Sequence, residues 1–329
     1  MYKLKRLFSM NYKQLFETIK NLKKQSGKSY LWLLFDIFYC AMRFEAGYTD
    51  YKVFEMYKYT NKDRMTFITR GTNNKIVKEY NDFSYKHMVA DKIEFNKLFK
   101  DYLGRGWLDL RYTDFEEFKM FCEGKTHLFI KPVDEICGKG IEKVEITNDL
   151  KLLLDEIKSK GIFLVEEVAS QHSLVSAVNP SSINTLRMVT INNGGQVDVL
   201  FGIFRIGNGK FVDNLNQGGL AAPIDVETGV VRCKAATKSG EMHDAHPLTQ
   251  VQIKGFQIPN YEECVRVVKE AAALVPQLGY LGWDVYIKDD GCGLIEANEF
   301  PGHDLYQLPG QLVNNQGVKP HFKKFIKVI

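Results

Sequence analysis

The chain has no long uninterrupted apolar run, no cysteine pair at metal or redox spacing, and no strong charge of either sign. Its most apolar stretch, Leu31–Phe44, is broken by Asp36 and Arg43 and falls short of the roughly twenty residues that span a bilayer. No small-residue cleavage site marks it as a signal peptide, so a buried helix is expected. The six cysteines are scattered, with no Cys-x-x-Cys and no His/Cys group at zinc spacing. They fit a reducing, cytoplasmic setting, with Cys40 and Cys264 as core residues. A formal net charge of +4, spread along the chain, does not imply nucleic acid. Repeats and low-complexity tracts are absent. The Walker pattern is absent too, because no Gly-Lys-Ser/Thr closes a glycine loop.

What is present is concentrated near the C-terminus, in Gly282–Gly302. Trp283–Ile287 and Leu294–Phe300 read as strands, bounded by Gly, Asp and Pro. Asp289-Asp290-Gly291 suits a three-residue hairpin loop with Gly291 in the left-handed conformation. Asp284 then lies across from Glu296, and Asn298 leaves the same face two residues on. Such oxygen donors suit Mg²⁺, which takes one or two carboxylates plus substrate phosphates, and a cation relieves the repulsion of facing carboxylates. A solvated hairpin face satisfies the same pattern.

Upstream, Leu128–Ile130 is a short strand ending in Lys131. The loop Gly138-Lys139-Gly140 can bring backbone N–H groups close to phosphate oxygens, and Lys131 supplies a point charge. A surface hairpin with a lysine at its base is the plainer alternative. Gly161–Ala169 is a strand running into Glu166, Glu167 and Val168. Such a hinge offers backbone groups to an adenine edge, with Glu166 as a further acceptor; a strand ending in solvated acids is the other reading.

The order Lys131, glycine loop, Glu166-Glu167, Asp284, Glu296-x-Asn298 resembles that of the ATP-grasp superfamily. The Asp, Glu-Ala-Asn, Pro-Gly segment is similar to D-alanine–D-alanine ligases. Asp91-Lys92 resembles the Asp-Lys opening their nucleotide lobe, which makes Lys92 a second phosphate lysine, and His172 falls where those ligases place a ribose-binding residue. Gly47–Tyr51, Asn179–Arg187 and Asp213–Gly219 resemble the ATP-grasp proteins associated with sugar transfer in surface-polysaccharide gene clusters. D-alanine–D-alanine ligases carry an arginine two positions before the metal aspartate, where this chain has Gly282. The missing charge then falls to Arg187, Arg205 or Lys139, with arginine suited to bidentate phosphate contact. Asn184 on the strand-like run, and Asn216, Gly218 and Gly219 in the loop, become substrate-side candidates; a plain turn explains the loop equally. His303 follows Pro301-Gly302 and would meet substrate or solvent.

The resemblance implies an α+β ATP-grasp fold. Residues 1–85 are expected as a mainly helical region and residues 86–329 as the ATP-grasp domain. Its small lobe covers about 105–165 and its large lobe about 166–315, with the nucleotide between them. It also implies ATP and Mg²⁺, with Mn²⁺ able to substitute, and a carboxylate–amine ligase working through an acyl phosphate. The substrates would be small or glycan-linked, with peripheral contact to membrane-bound glycan assembly machinery. A phosphotransferase on a hydroxyl and a non-catalytic nucleotide module are the rivals. In the helical region, Leu4, Leu7, Phe8, Leu15, Phe16, Ile19 and Leu22 recur at helical spacing among lysines. That basic amphipathic helix could lie on an anionic membrane or against its own domain; the second is expected. A strand is expected at Met65–Thr69. Helices are expected at Phe83–Tyr102, at Thr113–Cys122 with Thr113 as N-cap, at Asn148–Lys160 and at Tyr261–Leu278.

Overall fold

The computed structural model describes residues 11–132, 141–209 and 213–329, with the Asn216 side chain also outside the description. The chain divides into two compact units. One comprises the residues up to Tyr80 together with Ser239–Met242 and Pro301–Ile329; the other comprises Asn81–Lys238 and His243–Phe300.

The first unit is helical. Its elements are α1 (Tyr12–Ser26), α2 (Tyr30–Phe44), α3 (Tyr48–Val53), α4 (Asn61–Arg64) and α5 (Arg70–Tyr80), with α12 (Lys319–Phe322) from the C-terminal segment. Asn11 and Ser29 cap α1 and α2 by accepting from backbone N–H groups in the first turn. Leu15, Ile19 and Leu22 of α1 meet Leu33, Ile37 and Cys40 of α2 in one core with Tyr51, Phe54 and Phe67. Each such fully buried side chain contributes about 1.5–3 kcal/mol. Leu4, Leu7 and Phe8 lie outside the described residues, and Phe16 is exposed.

Asp36, which breaks the apolar run of α2, has a structural use. It receives Arg64 through two bonds, Nη1 to Oδ1 at 2.8 Å and Nη2 to Oδ2 at 2.7 Å, and the Tyr51 hydroxyl at 2.6 Å. Burial followed by the Asp36 hydrogen bond raises the Tyr51 phenol well above its usual range. The expected burial of α2 holds on one face only, because Leu31, Phe35 and Met42 are exposed.

Residues 65–69 form no strand. Their backbone is served by side chains instead: Gln307 accepts from Ile68 N and donates to Ile68 O, while Thr66 takes Gly317 N on its hydroxyl and Lys319 N on its carbonyl. These bonds tie Pro301–Ile329 into the helical unit.

The second unit opens with short pieces rather than the single helix expected over Phe83–Tyr102: two 3-10 turns, α6 (His87–Ala90) and α7 (Lys92–Leu98). Asp91 breaks the run. Its backbone is extended, and its side chain caps α7 by accepting from Ile93 N and Glu94 N. A four-stranded sheet follows in the order β1-β4-β2-β3, built from β1 (Trp107–Asp109), β2 (His127–Lys131), β3 (Glu142–Glu145) and β4 (Leu164–Glu167). Alternation along β2 sends Leu128 and Ile130 to one face, where α8 (Phe115–Cys122) and α9 (Leu150–Ser159) cover them. Both helices start a residue or two later than expected, because Asp114 and Asp149 are their N-caps; Asp114 is paired reciprocally with Glu117.

A seven-stranded antiparallel sheet has the order β11-β10-β5-β6-β7-β8-β9. Its first four strands are β11 (Gly291–Asn298), β10 (Tyr280–Lys288), β5 (Thr185–Asn193) and β6 (Gln196–Ile206). Next come β7 (Leu220–Pro223), β8 (Ala235–Thr237) and β9 (Met242–His243), which the division into units splits. Short α10 (Ser173–Val178) precedes β5, and α11 (Tyr261–Ala273), ending earlier than expected, precedes β10. Leu186, Met188, Phe204, Trp283 and Val285 form a core with Cys264, Val267, Val268 and Ala271 of α11. The opposite face of the sheet is therefore the one left for polar chemistry.

The β10–β11 hairpin differs from expectation at its tip. Lys288 pairs with Gly291, so the loop is Asp289-Asp290 alone. The ladder then shifts by one residue between Asp284 and Val285, and Ile295 takes no register partner. The two changes cancel, so Asp284 still faces Glu296.

Candidate active site

On the large sheet, the register sets Glu296 of β11 beside Asp284 of β10, and Asp284 beside Arg187 of β5. Arg205 lies one strand further, opposite Thr185. Arg187 binds Asp284 through Nε and through Nη2 at 2.8 Å, and Arg205 Nη1 donates to Asp284 Oδ2 at 2.7 Å. Arg205 Nη2 also donates to Asp213 at 2.8 Å, and Asp213 takes the amide and hydroxyl of Thr185. Burial alone would raise the Asp284 carboxyl, but Arg187 and Arg205 outweigh it and hold it well below the usual carboxylate range. Glu296 goes the other way. Crowding of its carboxyl, then the negative Asp284 alongside, push it up, although the residue as a whole is exposed.

The small sheet carries a second cluster. Glu166, 2% exposed, is bonded by Lys131 Nζ, by Arg105 Nε and Nη2 at 2.9 Å each, and by Asn96 Nδ2 at 2.9 Å. Burial would raise this carboxyl as well; Lys131 and Arg105 drive it far down. Arg105 Nη1 continues to Leu294 O at 2.6 Å, which joins this cluster to β11. Burial lowers the Lys131 ammonium below its usual value. Among its opposing influences is Glu296, so the two clusters lie within electrostatic reach of one another. Lys92 Nζ donates to Pro132 O at 2.8 Å, just past the end of β2.

The structure thus brings Arg187, Arg205, Asp284 and Glu296 together, with Asn298 donating a long 3.4 Å bond to Glu296. Lys131 and Glu166 meet, but the Glu166 carboxylate is spent on cations and an amide rather than left open for adenine. Glu167 accepts from Gly106 N at 2.8 Å and pairs with Lys125 at 3.0 Å. Val168 is exposed. His172 caps α10, its Nδ1 accepting from Leu174 N at 3.1 Å, and lies 3.8 Å from Asp289.

Asn184 is not on an open surface. It is fully buried, donating to Val175 O, Asn179 O and Gln171 Oε1 and accepting from Gly207 N and Asn179 Nδ2; such an amide supports its neighbours. Gly218 is exposed in a turn. Gly219 has a structural reason to be glycine: a Cβ would lie 2.6 Å from Asp213 O and 3.0 Å from Ile206 O. Lys139, Gly138 and Gly140 lie outside the described residues, as does the Asn216 side chain. His303 is neither solvated nor exposed: it is 5% accessible, with Nε2 2.9 Å from Asp50 Oδ1.

Arg105 and Asn96 escaped the sequence reading, which named Asp213 only as the start of the run Asp213–Gly219 and gave its side chain no role. Nothing local marks Arg105 or Asn96; only the fold shows that both reach Glu166. As a metal site the hairpin offers oxygen donors of the kind Mg²⁺ takes, and the raised Glu296 carboxyl records a repulsion that a cation would remove. Both Asp284 oxygens already accept from arginines, which leaves Glu296 as the accessible carboxylate. Among the described residues no cluster of three His, Cys, Asp or Glu side chains is grouped for a metal; the hairpin set has two carboxylates and an amide.

The sequence profile of the sugar-transfer associated ATP-grasp family matches residues 120–327. No curated protein matches the chain. Among solved structures, the chain is similar to the ATP-grasp ligase PsnB complexed with minimal precursor, at 16% identity and a TM-score of 0.45, over 76% of this chain and 64% of that one. It is similar to the L-amino acid ligase from Bacillus licheniformis at 14% identity and a TM-score of 0.42, over 74% and 52% of the two chains. For the D-alanine–D-alanine ligase from Bacillus anthracis the figures are 12%, 0.42, 75% and 69%. The chain thus spans less than two thirds of PsnB.

Proposed function

Because the chain belongs to the sugar-transfer associated ATP-grasp family, we propose that it is an ATP- and Mg²⁺-dependent ligase joining a carboxylate to an amine. The observation that carries this reading is the row Glu296–Asp284–Arg187 across three adjacent strands, with Lys131 within reach of Glu296. A triphosphate carries charge that such a row can meet from both signs: cations for phosphate oxygens, oxygen donors for the metal that accompanies them.

Glu296, Asn298 and, as its arginines turn to phosphate, Asp284 would hold Mg²⁺, which when bound neutralises charge on the phosphates. Lys131 and Lys92 would orient the phosphates, joined by the Gly138–Gly140 loop and Lys139. Glu166 keeps Lys131 and Arg105 charged inside the protein. Glu167, Val168 and His172 would border the adenosine. Arg187 and Arg205 would receive the γ-phosphate and the acyl phosphate formed when a substrate carboxylate attacks it. The amine then displaces phosphate and an amide remains. Rigid charge held ready where charge is transferred needs no reorganisation during the reaction. The loop Asn216–Gly219 would border the substrate, while Asn184 supports the strand that carries Arg187.

The family association points to a carboxylated sugar or amino acid destined for a surface glycan, assembled from the cytoplasmic side beside membrane-bound machinery. Among the described residues no helix is long and apolar enough to cross a membrane. The test is incubation with Mg-ATP, a panel of uronic and amino acids, and hydroxylamine. ADP release with hydroxamate formation is expected. A stable phosphate ester would mark a phosphotransferase, and nucleotide binding without any turnover would mark a binding module.

A further inference from the structure

Helix α2 carries apolar side chains on two opposite faces, and its own unit uses one of them. Leu33, Ile37, Cys40 and Phe44 enter the core. Leu31, Phe35 and Met42 are 65%, 71% and 52% exposed. Leu31 and Leu33 stand two residues apart, about 200° around the helix, so the exposed line runs along the side away from the core. Trp32 and Tyr39, also exposed, widen it. A helix that is apolar all round is ordinarily enclosed by protein or lipid, and a contiguous exposed apolar patch marks an interaction surface.

The charge beside this face has one sign. Between Asn11 and Ser29 the chain carries five lysines and a single acid, Glu17, and all five lysines are exposed. Leu15, Ile19 and Leu22 hold the apolar side of α1 against the core, which leaves its lysines to the outside. Tyr30 and Trp32 lie on the two flanks of Leu31, and lysines meet both. Phe16 of α1 stacks on Tyr30 with ring centroids 6.4 Å apart, and Lys13, Lys20 and Lys23 line one groove with these two rings. On the other flank, Lys28 Nζ stands 5.1 Å over the Trp32 ring.

An apolar face with lysines along both margins fits a bilayer with anionic headgroups. Acyl chains receive Leu31, Phe35 and Met42, lipid phosphates meet the lysines, and Trp32 and Tyr39 suit the boundary between them. A second copy docked through the same face would bring lysines toward lysines. With 15 residues, α2 is too short to cross a bilayer and would lie along it. We propose that the outward face of α2, with the lysines of α1 and Lys28, seats the protein on an anionic phospholipid bilayer. The inference concerns the helical unit and does not rest on the ligase reading.

The test is flotation of the full chain, without nucleotide, on phosphatidylcholine vesicles with and without phosphatidylglycerol. Binding is expected to the vesicles that contain phosphatidylglycerol, to exceed that to phosphatidylcholine alone, and to fall as salt is raised. Phe35→Ser is expected to weaken it about tenfold or more, as loss of one buried phenyl group implies. Lys20→Gln and Lys23→Gln are each expected to weaken it about fivefold and to flatten the salt dependence. All three side chains are exposed, so the variants should keep the wild-type circular dichroism and unfolding midpoint. Absence of binding to phosphatidylglycerol vesicles would overturn the proposal. So would wild-type binding in Phe35→Ser, which would assign the contact to another part of the chain. A dimer in sedimentation equilibrium that Phe35→Ser dissolves, with no vesicle uptake, would make the face a contact between copies instead.

Discussion

Arg205 Nη1 reaches Asp284 Oδ2 at 2.7 Å although the whole of β5 separates their strands. The intervening strand adds Arg187 to the same carboxylate. Two guanidinium groups therefore converge on one buried acid, and a phosphate arriving at this face competes with that acid for both.

Asp284→Asn leaves these arginines with less counter-charge in a buried place. Removing one partner of a buried ion pair costs roughly 3–5 kcal/mol, so the urea midpoint should fall clearly. ADP release should fall to background. A variant with wild-type turnover would separate Asp284 from the chemistry.

Glu166→Gln should destabilise the small sheet for the same reason, with Lys131 and Arg105 facing each other unpaired. The wild-type protein supplies a control through pH. Glu166 is depressed in the folded state. Its contribution is complete above the unfolded value of about 4.3 and is lost as pH falls toward the folded one. The Gln variant should lose less stability than wild type between neutral pH and the acid limit, as read by urea titrations at a series of pH values.

Glu296 has the opposite sign. Its carboxyl is raised, so it ionises in a window above the ordinary glutamate value of about 4.3. Since a metal takes the ionised form, magnesium-dependent nucleotide uptake should strengthen as pH rises through this window. Glu296→Gln should bind more weakly and flatten that pH profile in calorimetry; an unchanged profile would assign the dependence elsewhere.

How much of this was legible in the sequence depends on the range of the interaction. Asp284, Glu296 and Asn298 were readable because a hairpin brings near neighbours together through alternation alone. The facing of Asp284 and Glu296 was reached from a three-residue loop that does not exist, and it holds because the ladder shift near Ile295 makes up the difference. Arg105 is 61 residues from Glu166, and no local pattern encodes that meeting. Asn184 looked like a polar residue offered to a ligand, yet it is buried among carbonyls and amides that need it. Helix limits slipped where several Asp, Thr or Asn residues competed to cap, as at Thr113 and Asp114. The strand expected at residues 65–69 failed because a distant side chain, Gln307, took the role of a partner strand.

Gly71 provides a test within the helical unit alone. A Cβ there would stand 2.4 Å from Glu45 Cβ and 2.9 Å from Glu45 O, and Gly71 N already donates to that carbonyl at 3.2 Å. Gly71→Ala should cost about 1–3 kcal/mol, as overpacking does, despite the better helix propensity of alanine. Thermal unfolding would register it as a lower midpoint; a rise would mean that α2 and α5 can part freely.

The unpaired Ile295 is a surplus residue, taken up where the ladder shifts between Leu294 and Glu296. Deleting it would join Leu294 directly to Glu296 and leave Glu296 opposite Asp284 in an unbroken ladder. Inserting a further residue beside Ile295 would instead have to widen the irregularity or turn Glu296 and Asn298 toward the apolar layer beneath the sheet. Magnesium-linked nucleotide uptake that survives the deletion and is lost on the insertion would trace the polar face to strand phase rather than to the identity of the residue at the shift.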